Sequence, residues 1–237
     1  MGNLLHAERY KLFHDKTYWV ILAVTVLFNA SIFLGNSVAS MTGQAALTES
    51  IKKAVGSAMI ACIYGGTFLG GDFAGRTLYH GLTAGKSRGT ILMAKGIVFA
   101  FAADGLLFLF PLLFTLACTL KNGWGTTVSA GLALHLIAAA VALLILGFGV
   151  SAISVLAAAC CRNIGGTLGI PIILNFVMIV LLNSSLAITF FRFFPISAMF
   201  LVVNGNVKPA YGMGLGILWT GVLFAVSSLI FRRAELR

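Results

Sequence analysis

Asp72-Phe-Ala-Gly-Arg-Thr-Leu-Tyr-His-Gly-Leu-Thr-Ala-Gly-Lys-Ser-Arg-Gly-Thr-Ile-Leu-Met-Ala-Lys95 is a polar, basic stretch set between two long apolar runs. Its setting decides the fold, because almost everything outward from it is built for lipid. Of the 237 residues, 59% are hydrophobic and 9% charged, where soluble domains carry about 25% charged residues. The mean hydropathy is +1.02. No soluble core of this size hides so much apolar surface, so lipid is the solvent and the fold class is an all-α membrane protein. The apolar runs are continuous rather than alternating, which argues against the two-residue period of a β-barrel.

A span needs about 20 apolar residues to cross about 30 Å of hydrocarbon. Six transmembrane helices are predicted, over residues 18–38, 54–71, 97–119, 128–159, 165–186 and 211–231. The fourth exceeds what a span requires, so it tilts or reaches past the bilayer. With the N-terminus inside, eleven of the 16 Lys and Arg residues fall on the inner side, and Lys52, Lys53, Lys121, Arg192 and Lys208 fall outside. The positive-inside rule then places both N- and C-termini in the cytoplasm. The same bias accounts for the net charge of +10, so anionic headgroups or an acidic partner surface suffice and nucleic acid is not implied. The first residues read as a polar helical lead into a full-length span, not as a cleavable signal. Residues 1–237 form a single transmembrane domain.

The inner stretch has an ordered pattern. It runs from an acid, Asp72, through Gly75-Arg76-Thr77-Leu78 and a short helix to Gly85-Lys86-Ser87-Arg88, an aliphatic pair and Lys95. This pattern resembles the first cytoplasmic loop of type-2 ATP-binding-cassette (ABC) export permeases, the group that includes bacteriocin and bacitracin self-resistance pumps. The resemblance implies a coupling helix between spans two and three that docks on a separate ATPase. Arg76, Thr77, Leu78, Tyr79, His80, Leu82, Thr83, Lys86 and Arg88 would carry that contact. It also implies a second permease chain, as homodimer or sibling heterodimer, in the bacterial cytoplasmic membrane, exporting an amphipathic peptide, antibiotic or lipid. This chain would bind no cofactor, and ATP and magnesium would belong to the partner ATPase. Gly81-Leu-Thr-Ala-Gly85-Lys86-Ser87 is one residue short of a P-loop and follows a span rather than a strand, so it does not bind nucleotide.

Residues 1–17 are too polar to span. Glu8, Lys11 and Asp15 fall on one helical stripe with ion-pair spacing, and Leu5 and Leu12 fall on an adjacent face. An amphipathic connecting helix on the inner membrane surface is predicted, and the resemblance implies the same. Residues 39–53 read as a first outer loop with Glu49, Lys52 and Lys53. Residues 187–210 hold Phe190-Phe-Arg-Phe-Phe-Pro195 and a short apolar run, read as an outer re-entrant element before span six. Gly66-x-x-x-Gly70, Gly71-x-x-x-Gly75, Gly165-x-x-x-Gly169 and Gly212-x-x-x-Gly216 allow close helix packing. Pro111 and Pro171 interrupt the backbone ladders of spans three and five.

Polar residues within spans are costly and mark either pathways or interhelical contacts. Asn29, Thr67 and Asn175 are the candidate substrate-cavity residues, because spans one, two and five face the cavity between protomers in the family resembled. Each Asn also suits a bridge between two helices. Asp104 and His135, on consecutive spans, are expected to form a buried polar pair. That pair could instead serve a stand-alone proton-coupled carrier, and a non-transporting scaffold or sensor is a further alternative. Cys62, Cys118, Cys160 and Cys161 lack metal or outer-disulfide placement, and the four His residues show no metal spacing. Only six acids are present, with no catalytic constellation, so the chain reads as a transport subunit rather than an enzyme.

Overall fold

The computed structural model describes residues 1–34, 41–75, 85–125, 129–182 and 192–233. No strand occurs among them. Ten α-helices follow in order among the described residues: α1 (Gly2–His14), α2 (Lys16–Leu34), α3 (Gly43–Ala54), α4 (Ala58–Gly65), α5 (Gly71–Ala74), α6 (Arg88–Asn122), α7 (Ala130–Cys161), α8 (Ile164–Leu182), α9 (Pro195–Val203) and α10 (Pro209–Arg233). Five of these, α2, α6, α7, α8 and α10, are long and apolar enough to cross a membrane. These helices make the chain a multi-pass membrane protein by length and composition.

A further pair of helices passes the same test only when taken together. Helix α3 and the run from Ala58 to Ala74 meet at 47°, joined by a 3-10 turn at Val55–Ser57. A π-helical turn, Gly66–Gly70, links α4 to α5. The sequence reading of residues 39–53 as a loop is corrected over Gly43–Ala54, which are helical. The charges that read as a loop lie on one face of α3. Ala46, Ser50, Ile51 and Ala54 are buried on the other. Backbone N–H groups of Gly43 and Gln44 donate to the carbonyls of Gly123 and Trp124 at the far end of α6. From there the broken helix runs antiparallel to α6 for its whole length, until Asp72 meets Lys95.

Caps set the other boundaries. The Ser87 hydroxyl accepts from the Thr90 N–H at 3.3 Å and starts α6. Ser129 does the same for α7, accepting from Leu132 at 3.2 Å. Arg162 adopts a left-handed conformation, φ 54°, that ends α7, and the Asn163 side chain accepts from the Gly166 N–H at 2.7 Å to open α8. Such side-chain acceptors satisfy the orphan donors of a first turn. Helices α6 and α8 run through Pro111 and Pro171 without ending.

Glycine decides how closely the helices approach. A Cβ on Gly216 would sit 2.7 Å from the Ile145 carbonyl oxygen, so α10 lies directly on the α7 backbone. Gly66 and Gly70 likewise admit Leu168 and Ile164 of α8. Gly165-x-x-x-Gly169 serves no such contact among the described residues: Gly169 has nothing within 4 Å of a built Cβ. One core cluster joins Tyr18, Tyr64, Phe68, Phe99, Val155 and Phe224 towards the end that holds α1. A second joins Ile51, Leu107, Leu146, Ile196 and Met199 towards the other end, where α9 packs.

Candidate functional site

The strongest concentration of charge inside the fold lies at the base of the 72–95 stretch. Helix α1 brings Glu8 and Lys11, α5 brings Asp72, and α6 brings Lys95. The Lys11 Nζ donates to both Asp72 oxygens, at 2.7 and 3.0 Å. The Lys95 Nζ pairs with Glu8 Oε2 at 3.1 Å and also with Asp72. Two cations and two anions therefore form a closed, formally neutral group.

Burial ranks these contacts. The Lys95 side chain is 2% exposed, and Glu8 and Asp72 are 14% and 10% exposed. An ammonium so removed from water costs several kcal/mol unless it is paired and hydrogen-bonded. Lys95 has two carboxylates and the face of Phe68, whose centroid lies 4.9 Å from Nζ. The Lys11 side chain is 48% exposed, so its ion pair is screened and contributes much less. Lys95 is thus the residue on which the group depends.

Beneath it lies an aromatic floor. Tyr64 stacks on Phe68 at 5.4 Å between centroids and meets Tyr18 at 5.2 Å. The Tyr64 hydroxyl reaches Asp15 Oδ2 at 3.4 Å. Asp15 also accepts from the Thr17 N–H at 2.9 Å and thereby caps the start of α2.

Glu8 and Lys11 lie on α1 and Asp15 just past its end in extended backbone, and their partners are not the local ones that the spacing indicates. Glu8 and Lys11 reach across to Lys95 and Asp72, and Asp15 turns to Tyr64 and its own backbone. Phe68 and Tyr64, which complete the site, drew no notice in the sequence because they read as ordinary span residues.

Of the expected coupling residues, Arg76, Thr77, Leu78, Tyr79, His80, Leu82 and Thr83 lie outside the described residues. Lys86 is exposed and Arg88 partly buried, beside the Ser87 cap.

Asn29, Thr67 and Asn175 lie on three different elements, α2, the π-helical turn and α8. Asn29 is fully buried and donates to the Ser57 hydroxyl at 2.7 Å, tying α2 to the 3-10 turn between α3 and α4. Asn175 donates to Cys62 Sγ at 3.2 Å, tying α8 to α4. It borders a cavity of about 140 Å³ walled by Leu156, Met178, Pro195 and Trp219. Thr67 alone is exposed, and its hydroxyl donates to the Tyr64 carbonyl at 2.9 Å.

The expected Asp104–His135 pair is not formed. Asp104 is 5% exposed, and neither carboxyl oxygen has a hydrogen-bond partner among the described residues. It packs instead against Gly147, where an added methyl would overlap its carboxyl group. Gly147 lies twelve residues from His135, about 18 Å of helix, and His135 is exposed on α7.

The four cysteines are free thiols, and no group of metal-ligating side chains occurs among the described residues. No protein-family model matches the chain, and a search of curated proteins gave no match.

Proposed function

We propose that the chain is the permease subunit of an ATP-driven exporter of the type-2 ABC class, with ATP hydrolysed by a separate subunit docked on residues 72–95. The observation that carries this reading is the ion group at the two ends of that stretch. Asp72 closes the second span and Lys95 opens the third, and both are held by α1. A partner pressing on the residues between them would move α1 and both spans as one lever. A loop that served only to set topology would need no such brace.

In this reading the broken helix counts as the second of six spans, both termini are cytoplasmic, and α9 is the outer re-entrant element. Helices α2 and α8 have only 22% and 17% of their apolar windows buried within the chain. This large unburied surface supports a second permease chain, although it also suits lipid. The cargo is amphipathic or hydrophobic: a peptide, antibiotic or lipid. A proton-coupled carrier would rest on Asp104 and His135, which stand apart.

The test is co-purification of the chain expressed with its neighbouring genes. An ATPase at about equal stoichiometry is expected, and Leu82→Asp should abolish its association while leaving membrane insertion intact. A chain that purifies alone, or an association that survives Leu82→Asp, would sink the proposal.

A further inference from the structure

A groove of about 640 Å³ runs between α6 and α10, outside the ion group and the polar contacts of α2, α4 and α8. One end is basic and polar, formed by Arg232, Ser228 and Thr90. The guanidinium lies against Gly89 in the first turn of α6, where a Cβ would come within 3.2 Å of Arg232 Nε. That turn adds its own partial positive charge. Arg232 has no ion-pair partner among the described residues. From this end the groove continues over Met93, Ile97, Phe224 and Leu229 to Gly221 and Thr220. The distance from Arg232 back to Thr220 is twelve residues, about 18 Å of helix. One leaflet of hydrocarbon is about 15 Å deep, half of a core of about 30 Å.

We infer that this groove binds an anionic glycerophospholipid of the leaflet that faces α1. Its phosphate sits against Arg232, Ser228 and Thr90, and one acyl chain lies along Met93, Ile97 and Phe224. Three features favour this occupant over a soluble anion or a neutral lipid. The guanidinium stands at one end, as a headgroup at the interface requires, and Met1 also lines the groove. The walls that α6 and α10 supply away from the guanidinium are apolar apart from Thr220. The length matches a chain confined to one leaflet. The inference does not depend on the exporter reading, since any multi-pass protein with this groove would take the same ligand.

Two substitutions separate the headgroup from the chain. Arg232→Gln removes the charge and keeps a polar side chain. Gly221→Leu fills the groove; a Cβ there meets nothing within 4 Å, and leucine is a better helix former than glycine. The full chain in detergent is titrated with phosphatidylglycerol, with phosphatidylcholine of the same chain length, and with inorganic phosphate. Thermal unfolding and native mass spectrometry report binding. Phosphatidylglycerol should raise the unfolding temperature and remain bound, and the other two should not. Arg232→Gln should weaken that effect roughly fivefold, the factor expected for one basic residue near a charged surface, and Gly221→Leu should weaken it by blocking the acyl chain. Equal retention of phosphatidylcholine would mean unselective lipid contact and would overturn the inference. So would an equal response to phosphate alone, or a phosphatidylglycerol effect that survives both substitutions.

Discussion

Lys95 and Asp104 sit nine residues apart on one helix, and both are withdrawn from water, yet they have opposite fates. Lys95 is surrounded by two carboxylates and a ring, whereas Asp104 meets a glycine. Removing one partner of a buried ion group leaves the others uncompensated, at a cost of about 3–5 kcal/mol. Lys95→Met should therefore lower stability in detergent by roughly that amount. Adding Glu8→Gln to it should recover part of the loss, which a double-mutant cycle of unfolding free energies would read out. Additive losses would mean that the contact between Glu8 and Lys95 carries no energy.

Asp104 should behave in the reverse sense. A buried polar group without a partner is itself a cost, so Asp104→Leu should leave stability unchanged or raise it. Gly147→Ala should destabilise by about 1–3 kcal/mol through overpacking. A large loss of stability on Asp104→Leu would show that the carboxyl group has a partner in the assembled protein.

At the scale of elements, glycine pairs with the same spacing have different uses. Gly216→Val would drive a side chain into the Ile145 backbone and should cost about 1–3 kcal/mol. Gly169→Ala meets open space and should stabilise its helix by a few tenths to about 1 kcal/mol. Parallel melting curves of the two variants would check this, and a penalty at Gly169 would place another helix there.

The same scale shows what the sequence could and could not disclose. The long helices were legible because about 20 apolar residues in a row have few other uses. Helix α3 was not, because Glu49, Lys52 and Lys53 break its hydropathy, and its buried face packs on α6. Glu8, Lys11, Asp72 and Lys95 were each visible as charges. Their pairing was not, because ion-pair spacing along one helix is a local signal, whereas the partners lie 61 and 87 residues away. Asn29 and Asn175 could be read as polar residues with partners on another helix, but that the partners are Ser57 and Cys62 follows only from the packing.

Over the whole molecule, the ends of the bundle differ in what holds them. The end bearing α1 is fastened by charge around Lys95 and by an aromatic floor. The opposite end is closed by apolar packing of α3 and α9 on α6 and α7. Salt therefore should act unevenly. Lys95 is shielded from ions in solution, while Lys11 is exposed enough to be screened, so raised ionic strength should loosen only the outer half of the ion group. Hydrogen exchange at low and high salt should show added exchange in α1 and little change in α3. Equal changes in both would mean that charge does not distinguish the two ends.

The 87-residue interval between Glu8 and Lys95 also has a consequence in time. Translation adds about 5–20 residues per second, so Glu8 leaves the ribosome roughly 4–17 s before the residue it will neutralise. Throughout that interval α1 carries its charges at the membrane surface without their final partners. The birth of α6, not of α2, is the moment when the leading helix can settle, and the order of synthesis thereby becomes an order of assembly.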